Sequence, residues 1–243
     1  MKLTDFKVLT FDCYGTLIDW ETGLWQALEP LATAAGKSRD EALADYAQEE
    51  SAQQQDTPGM LYRDLLTAVH RRLAAAWKVD ASDEINARFG ASVPNWPAFD
   101  DLPAALVTLQ KRYKLVVLSN VDRQSFAGSN KRLGVTFDAI YTAEDIGSYK
   151  PDPRNFDYLL EHLKQDFGFE HGDILHTAQS LHHDHVPASR IGLARCWIDR
   201  QHLRDGGGAG VTKVPEEWPE PHFYFTTLSE MAEAVAREGA TGN

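Results

Sequence analysis

Cysteine is scarce: the 243 residues hold two, Cys13 and Cys196, which excludes a disulfide-stapled scaffold. No stretch approaches the roughly 20 consecutive apolar residues of a membrane-spanning helix, so no membrane partner is expected. The N-terminus, MKLTDFKVLTFD, carries an acid at Asp5 and lacks the apolar run of a secretory signal. Basic residues are also in short supply, 24 Lys and Arg against 36 Asp and Glu, for a formal charge of -12. A chain this acidic lacks the electrostatic footprint for nucleic acid or anionic lipid. A small anionic substrate would therefore need a local cationic pocket. Together these absences lead to the expectation of a reduced, cytoplasmic location. What is present is ordinary for a protein with a sizeable core, 43% apolar and 25% charged side chains.

Hydrophobic spacing divides the chain. Val8 to Phe11 is a short apolar run of strand formers that ends in Asp12 and a turn through Gly15, the pattern of a buried parallel strand. From Trp20 to Asn95 helical spacing takes over, in Leu24, Leu28 and Leu31, then Ala42, Tyr46 and Ala47 opening a polar stretch to Gln55, then Leu61, Leu65, Leu66, Val69 and Leu73. Beyond Pro97, strand candidates at 115–118, 139–142, 174–178, 196–198 and 223–225 alternate with helical segments. Such alternation predicts an α/β fold with a doubly wound parallel sheet. The expected division is a core of residues 1–19 and 96–243 with a helical cap of residues 20–95 inserted. The glycine-rich run from Gly206 to Gly210 has no helix start after it and reads as a connector.

Reactive groups stand at four strand ends: Asp12, Ser119 with Asn120, Lys150, and Asp184. In a doubly wound sheet these ends face one crevice. A carboxylate there, next to turn N–H groups, has the setting of a nucleophile, an ammonium nearby keeps it ionised, and neutral donors hold developing charge. Each group also has a plain structural use. Ser119, Asn120 and Asp122 can cap the following helix, and Asp152 with Pro153 reads as an N-cap followed by a first helical proline.

The order and spacing together resemble the haloacid dehalogenase superfamily. Asp12-Cys13-Tyr14-Gly15-Thr16-Leu17 is similar to its first motif, Leu118-Ser119-Asn120 to its second, Tyr149-Lys150-Pro151-Asp152-Pro153 to its third, and Asp184 to its fourth. The resemblance implies a Rossmann-like core with an inserted cap. Phosphatases of the superfamily carry a second acid two residues after the nucleophile, where this chain has Tyr14, and a phenol with an ordinary pKa near 10 is a poor acid-base group at neutral pH. Tyrosine there, within Asp-x-Tyr-Gly-Thr-Leu, resembles the L-2-haloacid dehalogenase branch.

That branch implies halide displacement from a small 2-haloalkanoate by Asp12, then hydrolysis of the aspartyl ester, with no metal or other cofactor. Thr16, Ser119, Lys150 and Asp184 would complete the catalytic set, and Tyr14, Asn120, Trp20, Ser180 and His183 would line the substrate pocket. The expected partner is a small anionic organic molecule, and the protein a monomer or homodimer. The alternatives are a phosphatase holding Mg²⁺ through Asp12 and Asp184, and a binding protein with an altered site. Three positions depart from the branch. Phe156 replaces an aromatic hydroxyl, Leu181 replaces an asparagine, and the cap arginine has no counterpart near Tyr46 to Glu50, leaving Arg39 or Arg63 as substitutes.

Four of the nine histidines, His176, His182, His183 and His185, crowd around Asp184. Neighbouring positions of a strand-to-helix loop point in different directions, so one lining histidine, His182 or His183, with an ordinary titration near pH 6.5, is expected rather than a metal cluster. Cys13 is expected to pack inward.

Overall fold

The structure, a computed structural model, describes residues 1–208 and 213–241. Its sheet has six parallel strands in the order β3-β2-β1-β4-β5-β6. They are β1 (Val8–Phe11), β2 (Lys114–Ser119), β3 (Ala139–Thr142), β4 (Ile174–Ala178), β5 (Ala194–Ile198) and β6 (Phe223–Phe225). All four β1 residues are buried because both faces of the strand are covered. Val8 packs with Val116, Leu118, Ile174 and Leu159 on one side, and Leu9 and Phe11 pack with Leu115, Val117 and Leu175 on the other.

The chain steps from β1 outward to β3 and then returns to lay β4 on the free edge of β1. The direction reverses between β1 and β4, so a crevice opens beyond their carboxyl ends. Parallel register sets Thr10 beside His176 and Phe11 beside Thr177. Asp12, Ser119 and the segment after Ala178 thus leave the sheet at one edge.

Four helices, α1 (Trp20–Ala34), α2 (Arg39–Asp56), α3 (Tyr62–Trp77) and α4 (Asp83–Gly90), follow β1 before the chain returns at Pro97. The chain leaves and rejoins the core through paired backbone, with a bridge between Ile18 and Ala98 and a hydrogen bond from Asp19 N to Pro97 O. Gly23 permits the close approach here: a Cβ on it would fall 2.3 Å from the Trp96 ring. Helix α3 buries the stripe Leu65, Leu66, Val69 and Leu73, as its spacing requires. The polar stretch to Gln55 is helical throughout. It continues α2 to Asp56, nucleated by a capping box between Ser38 and Glu41.

The remaining helices are α5 (Leu102–Leu109), α6 (Arg123–Leu133), α7 (Ala143–Ile146), α8 (Arg154–Phe167), α9 (Val186–Arg190) and α10 (Leu228–Thr241). Asp122 caps α6 by accepting from Ser125 N at 2.9 Å. Helix α8 starts one residue later than its sequence suggests: Pro153 is the N-cap, and the Asp152 carboxylate accepts from Arg154 N at 3.0 Å. The glycine-rich connector extends to positions 209 and 210, which lie outside the described residues.

Candidate active site

The strand-end loops converge on a single buried ammonium. Lys150 Nζ donates to Asp12 Oδ1 at 2.8 Å, to Asp184 Oδ1 at 2.7 Å and to Leu118 O at 3.0 Å. Three donors meet three acceptors, and the side chain is 1% exposed. Asn120 fixes the backbone that delivers it, accepting from Lys150 N at 2.7 Å and donating to Lys150 O at 3.0 Å. The second Asp12 oxygen accepts from Thr16 Oγ1 at 2.8 Å, and that hydroxyl in turn accepts from Gln179 N at 2.9 Å. The turn between Asp12 and Thr16 depends on Gly15, whose φ of +98° is strained for any other residue and over which the Trp20 ring closes.

Asp184 is held from the opposite side by His176. The His176 Nε2 lies 3.0 Å from Asp184 Oδ1, while Nδ1 lies 2.8 Å from Thr10 Oγ1. A neutral ring satisfies both bonds if Nε2–H donates to the carboxylate and Nδ1 accepts from the threonine. Phe156 stacks edge-on against this ring at 5.1 Å and is buried beneath it. Asp184 Oδ2 and Ser119 Oγ are buried without a hydrogen-bond partner among the described residues.

Two carboxylates sharing one ammonium cannot be equivalent. Burial pushes Asp12 above its ordinary range, Lys150 recovers part of this, and Asp184 adds repulsion. Burial acts on Asp184 as well, but there Lys150 and His176 outweigh it and hold the carboxyl below its ordinary range. For Lys150, desolvation is outweighed by the two acids and the ammonium form is favoured. Asp184 is thus the firmly ionised member, and Asp12 gains its proton first on acidification.

Above this floor lies a cavity of about 610 Å³. Asp12, Lys150, Asp184, Tyr14, Trp20, Asn120, Ser180 and His183 all border it, whereas Thr16 and Ser119 lie outside its lining. The Tyr14 hydroxyl is turned to Ser129 Oγ at 2.9 Å, and burial raises its pKa well above the ordinary phenol value. Ser180 Oγ accepts from His183 N at 3.1 Å and caps the π-helical turn Leu181–His185 that carries Asp184.

Residues 6–176 match the family model of the haloacid dehalogenase-like hydrolases. The chain belongs to that family. No curated protein matches it. Among solved structures it is similar to an L-2-haloacid dehalogenase at 19% identity, TM-score 0.76, covering 96% of this chain and 99% of the other. It is similar to the L-2-haloacid dehalogenase from Xanthobacter autotrophicus with chloropropionic acid covalently bound, at 15% identity and TM-score 0.75 over 95% and 98% of the two chains. A defluorinating L-2-haloacid dehalogenase is similar at 19% identity and TM-score 0.72, over 97% and 98%.

Some expectations for this hydrolase need correction and others hold. His183 borders the cavity, but burial brings its pKa down to about 4, so it stays neutral at neutral pH rather than titrating at its ordinary value. Neither Arg39 nor Arg63 borders the cavity: Arg39 pairs with Glu21, and Arg63 with Gln124 and Asp64. Of the clustered histidines, His176 faces Asp184 and His185 is turned to Ala178 O at 3.0 Å, while His182 and His183 both border the cavity where only one was expected; among the described residues no group of His, Cys, Asp and Glu could hold a metal ion. Cys13 is packed in the core.

Sequence reading assigned His176 no role of its own, and it marked the cap stretch Tyr46 to Glu50 only by the arginine missing there. The signal for His176 was a polar residue inside each of two apolar strands, Thr10 and His176, which parallel pairing sets side by side. The cap wall carries Gln48, Glu50, Ser51, Gln54 and Tyr62, and no motif marks these residues.

Proposed function

We propose that this haloacid dehalogenase-like hydrolase cleaves the carbon–halogen bond of a small 2-haloalkanoate by covalent catalysis on Asp12. The carrying observation is the pairing of Asp12 with Lys150 and Thr16 at the cavity floor, combined with Tyr14 at the place where a second acid would be needed for a poor leaving group. An Asp12 oxygen attacks the carbon bearing the halogen, and the halide departs with the bonding electrons and needs no proton. Water then attacks the Asp12 carbonyl carbon of the ester. The 2-hydroxyacid leaves, the carboxylate is restored and one proton is released, so water and haloacid give hydroxyacid, halide and a proton. Asp184, which borders the cavity and stays ionised, is the group suited to orient that water. Lys150 keeps Asp12 ionised and positioned.

A Mg²⁺ bridging Asp12 and Asp184 fits these residues poorly. The Lys150 ammonium already occupies one oxygen of each, Thr16 takes the other Asp12 oxygen, and the ion demands octahedral oxygen coordination. Halide displacement by Asp12 needs no added metal. Halide release from a panel of 2-chloro- and 2-bromoalkanoates, measured with and without EDTA, tests it. Release insensitive to EDTA and reduced at least about 10³-fold in Asp12→Asn is the expected result. No halide from the panel, alongside Mg²⁺-dependent turnover of phosphate esters, would overturn it.

A further inference from the structure

The cap places an acid over the floor. Glu50, near the end of α2, borders the cavity, and its Oε1 accepts from Tyr46 Oη at 2.9 Å and from Tyr62 Oη at 2.8 Å. Burial raises both phenol pKa values well above the ordinary value, so both remain protonated donors. Burial also pushes the Glu50 carboxyl up, and the two phenols are the groups that oppose this. No lysine or arginine pairs with Glu50 among the described residues. Glu50 is half-buried, and a carboxylate held partly out of water is steadied by a counter-charge or by hydrogen-bond donors. Here two phenols fix one oxygen, and Oε2 has no hydrogen bond and is not among the sealed atoms. The remaining cap lining, Gln48, Ser51, Gln54 and Gln55, is neutral and polar.

The rest of the wall leaves no other role for this charge. Lys150 is committed to Asp12 and Asp184, and Arg154 is paired with Asp152. Lys213 lies at the histidine side, where its charge is felt by His182 and His183. The cavity of about 610 Å³ is also of the size that holds a drug-sized ligand, much more than a three-carbon haloacid fills. The geometry points to Glu50 as the specificity-determining residue of the cap, receiving an ammonium group of a substrate longer than a simple haloalkanoate. This rests on the reading of Asp12 as the nucleophile only for which end of the substrate reacts. The substrate class is a halogenated acid bearing an amine at its far end.

Binding of halogen-free probes separates the two ideas. Calorimetry would compare a series of ω-aminoalkanoates with the matching alkanoates, on the wild-type protein and on Glu50→Gln, which keeps the shape and can still accept from the phenols. The expected result is at least about tenfold tighter binding of the amino series to wild type, with the preference lost in Glu50→Gln and weakened in Tyr62→Phe. Equal binding of the two series, tighter binding of the alkanoates, or an unchanged preference in Glu50→Gln would overturn the assignment. Because the probes carry no halogen, these outcomes stand whether or not the enzyme releases halide. Failure of halide release would count against the reaction alone.

Discussion

The floor and the roof of the cavity are built on opposite principles. In the floor an ammonium lies between two carboxylates, and Lys150, Asp184 and His176 are at most 1% exposed. In the roof a carboxylate lies between two phenols, and the neighbouring glutamines remain partly open to water. Charges withdrawn from water and held by one another form a unit in which no member can be lost cheaply. A carboxylate held by neutral donors has a charge left to offer. The floor is suited to fixed chemistry and the roof to selection.

The contrast breaks most visibly at Lys150. Replacing it with methionine keeps much of the side-chain volume but leaves two buried carboxylates without compensation. The expected cost is about 3–5 kcal/mol of stability at neutral pH, together with loss of turnover. Urea unfolding would measure it, and adding Asp184→Asn should restore part of the loss, because one orphaned charge is then removed. If Lys150→Met were as stable as wild type, the floor would not be the interdependent unit described. Glu50→Gln, which removes no counter-charge, should shift the midpoint far less.

The floor was more legible in the sequence than the roof, for a physical reason. Asp12, Lys150 and Asp184 each follow a strand whose apolar run marks it, and the rule that strand ends meet at the switch point brings them together before any coordinates are known. Helix α2 gives no comparable handle. Of its residues only Ala42, Leu43, Tyr46 and Gln53 are buried, so its periodicity does not reveal which polar face turns toward the site. The Glu50 anchor further requires Tyr62 from another helix, a contact that no local pattern encodes. Asn120 illustrates the same limit within the core. Its residue type suits a substrate contact, yet both of its amide atoms bond the Lys150 backbone, thirty positions away.

Acidification probes the floor through His185, which burial keeps neutral. His185 is fully buried, Nε2 lies 3.0 Å from Ala178 O, and Nδ1 has no partner among the described residues. Burial brings its pKa down to about 4 from an ordinary value of 6.5. Between those values the unfolded chain carries the proton and the folded chain does not, so stability falls as pH drops from about 6.5 toward 4. The slope from one such group is at most roughly 1.4 kcal/mol per pH unit. His185→Gln, which can still donate to Ala178 O, should flatten the acid limb of a stability-versus-pH curve by up to that amount. Asp184 acts with the same sign in a lower window: its contribution is complete above the ordinary carboxylate range and is lost only below it. An unchanged limb between pH 6.5 and 4 in His185→Gln would mean that the site is wetter than its burial implies.

The smallest expected effect tests how far the floor reaches into the sheet. Thr10 is a hydroxyl inside an otherwise apolar strand, and its bond to His176 Nδ1 selects the ring nitrogen that carries hydrogen toward Asp184. Thr10→Val preserves shape while removing that donor, so about 1 kcal/mol of stability should be lost. Turnover should fall only modestly, because Lys150 still holds the same Asp184 oxygen. Nitrogen chemical shifts of His176 would distinguish the cases. A mixture of tautomers in Thr10→Val places the threonine in the chain of hydrogen bonds that orients Asp184. A single unchanged tautomer would mean that Asp184 alone fixes the ring, and that the floor ends at His176.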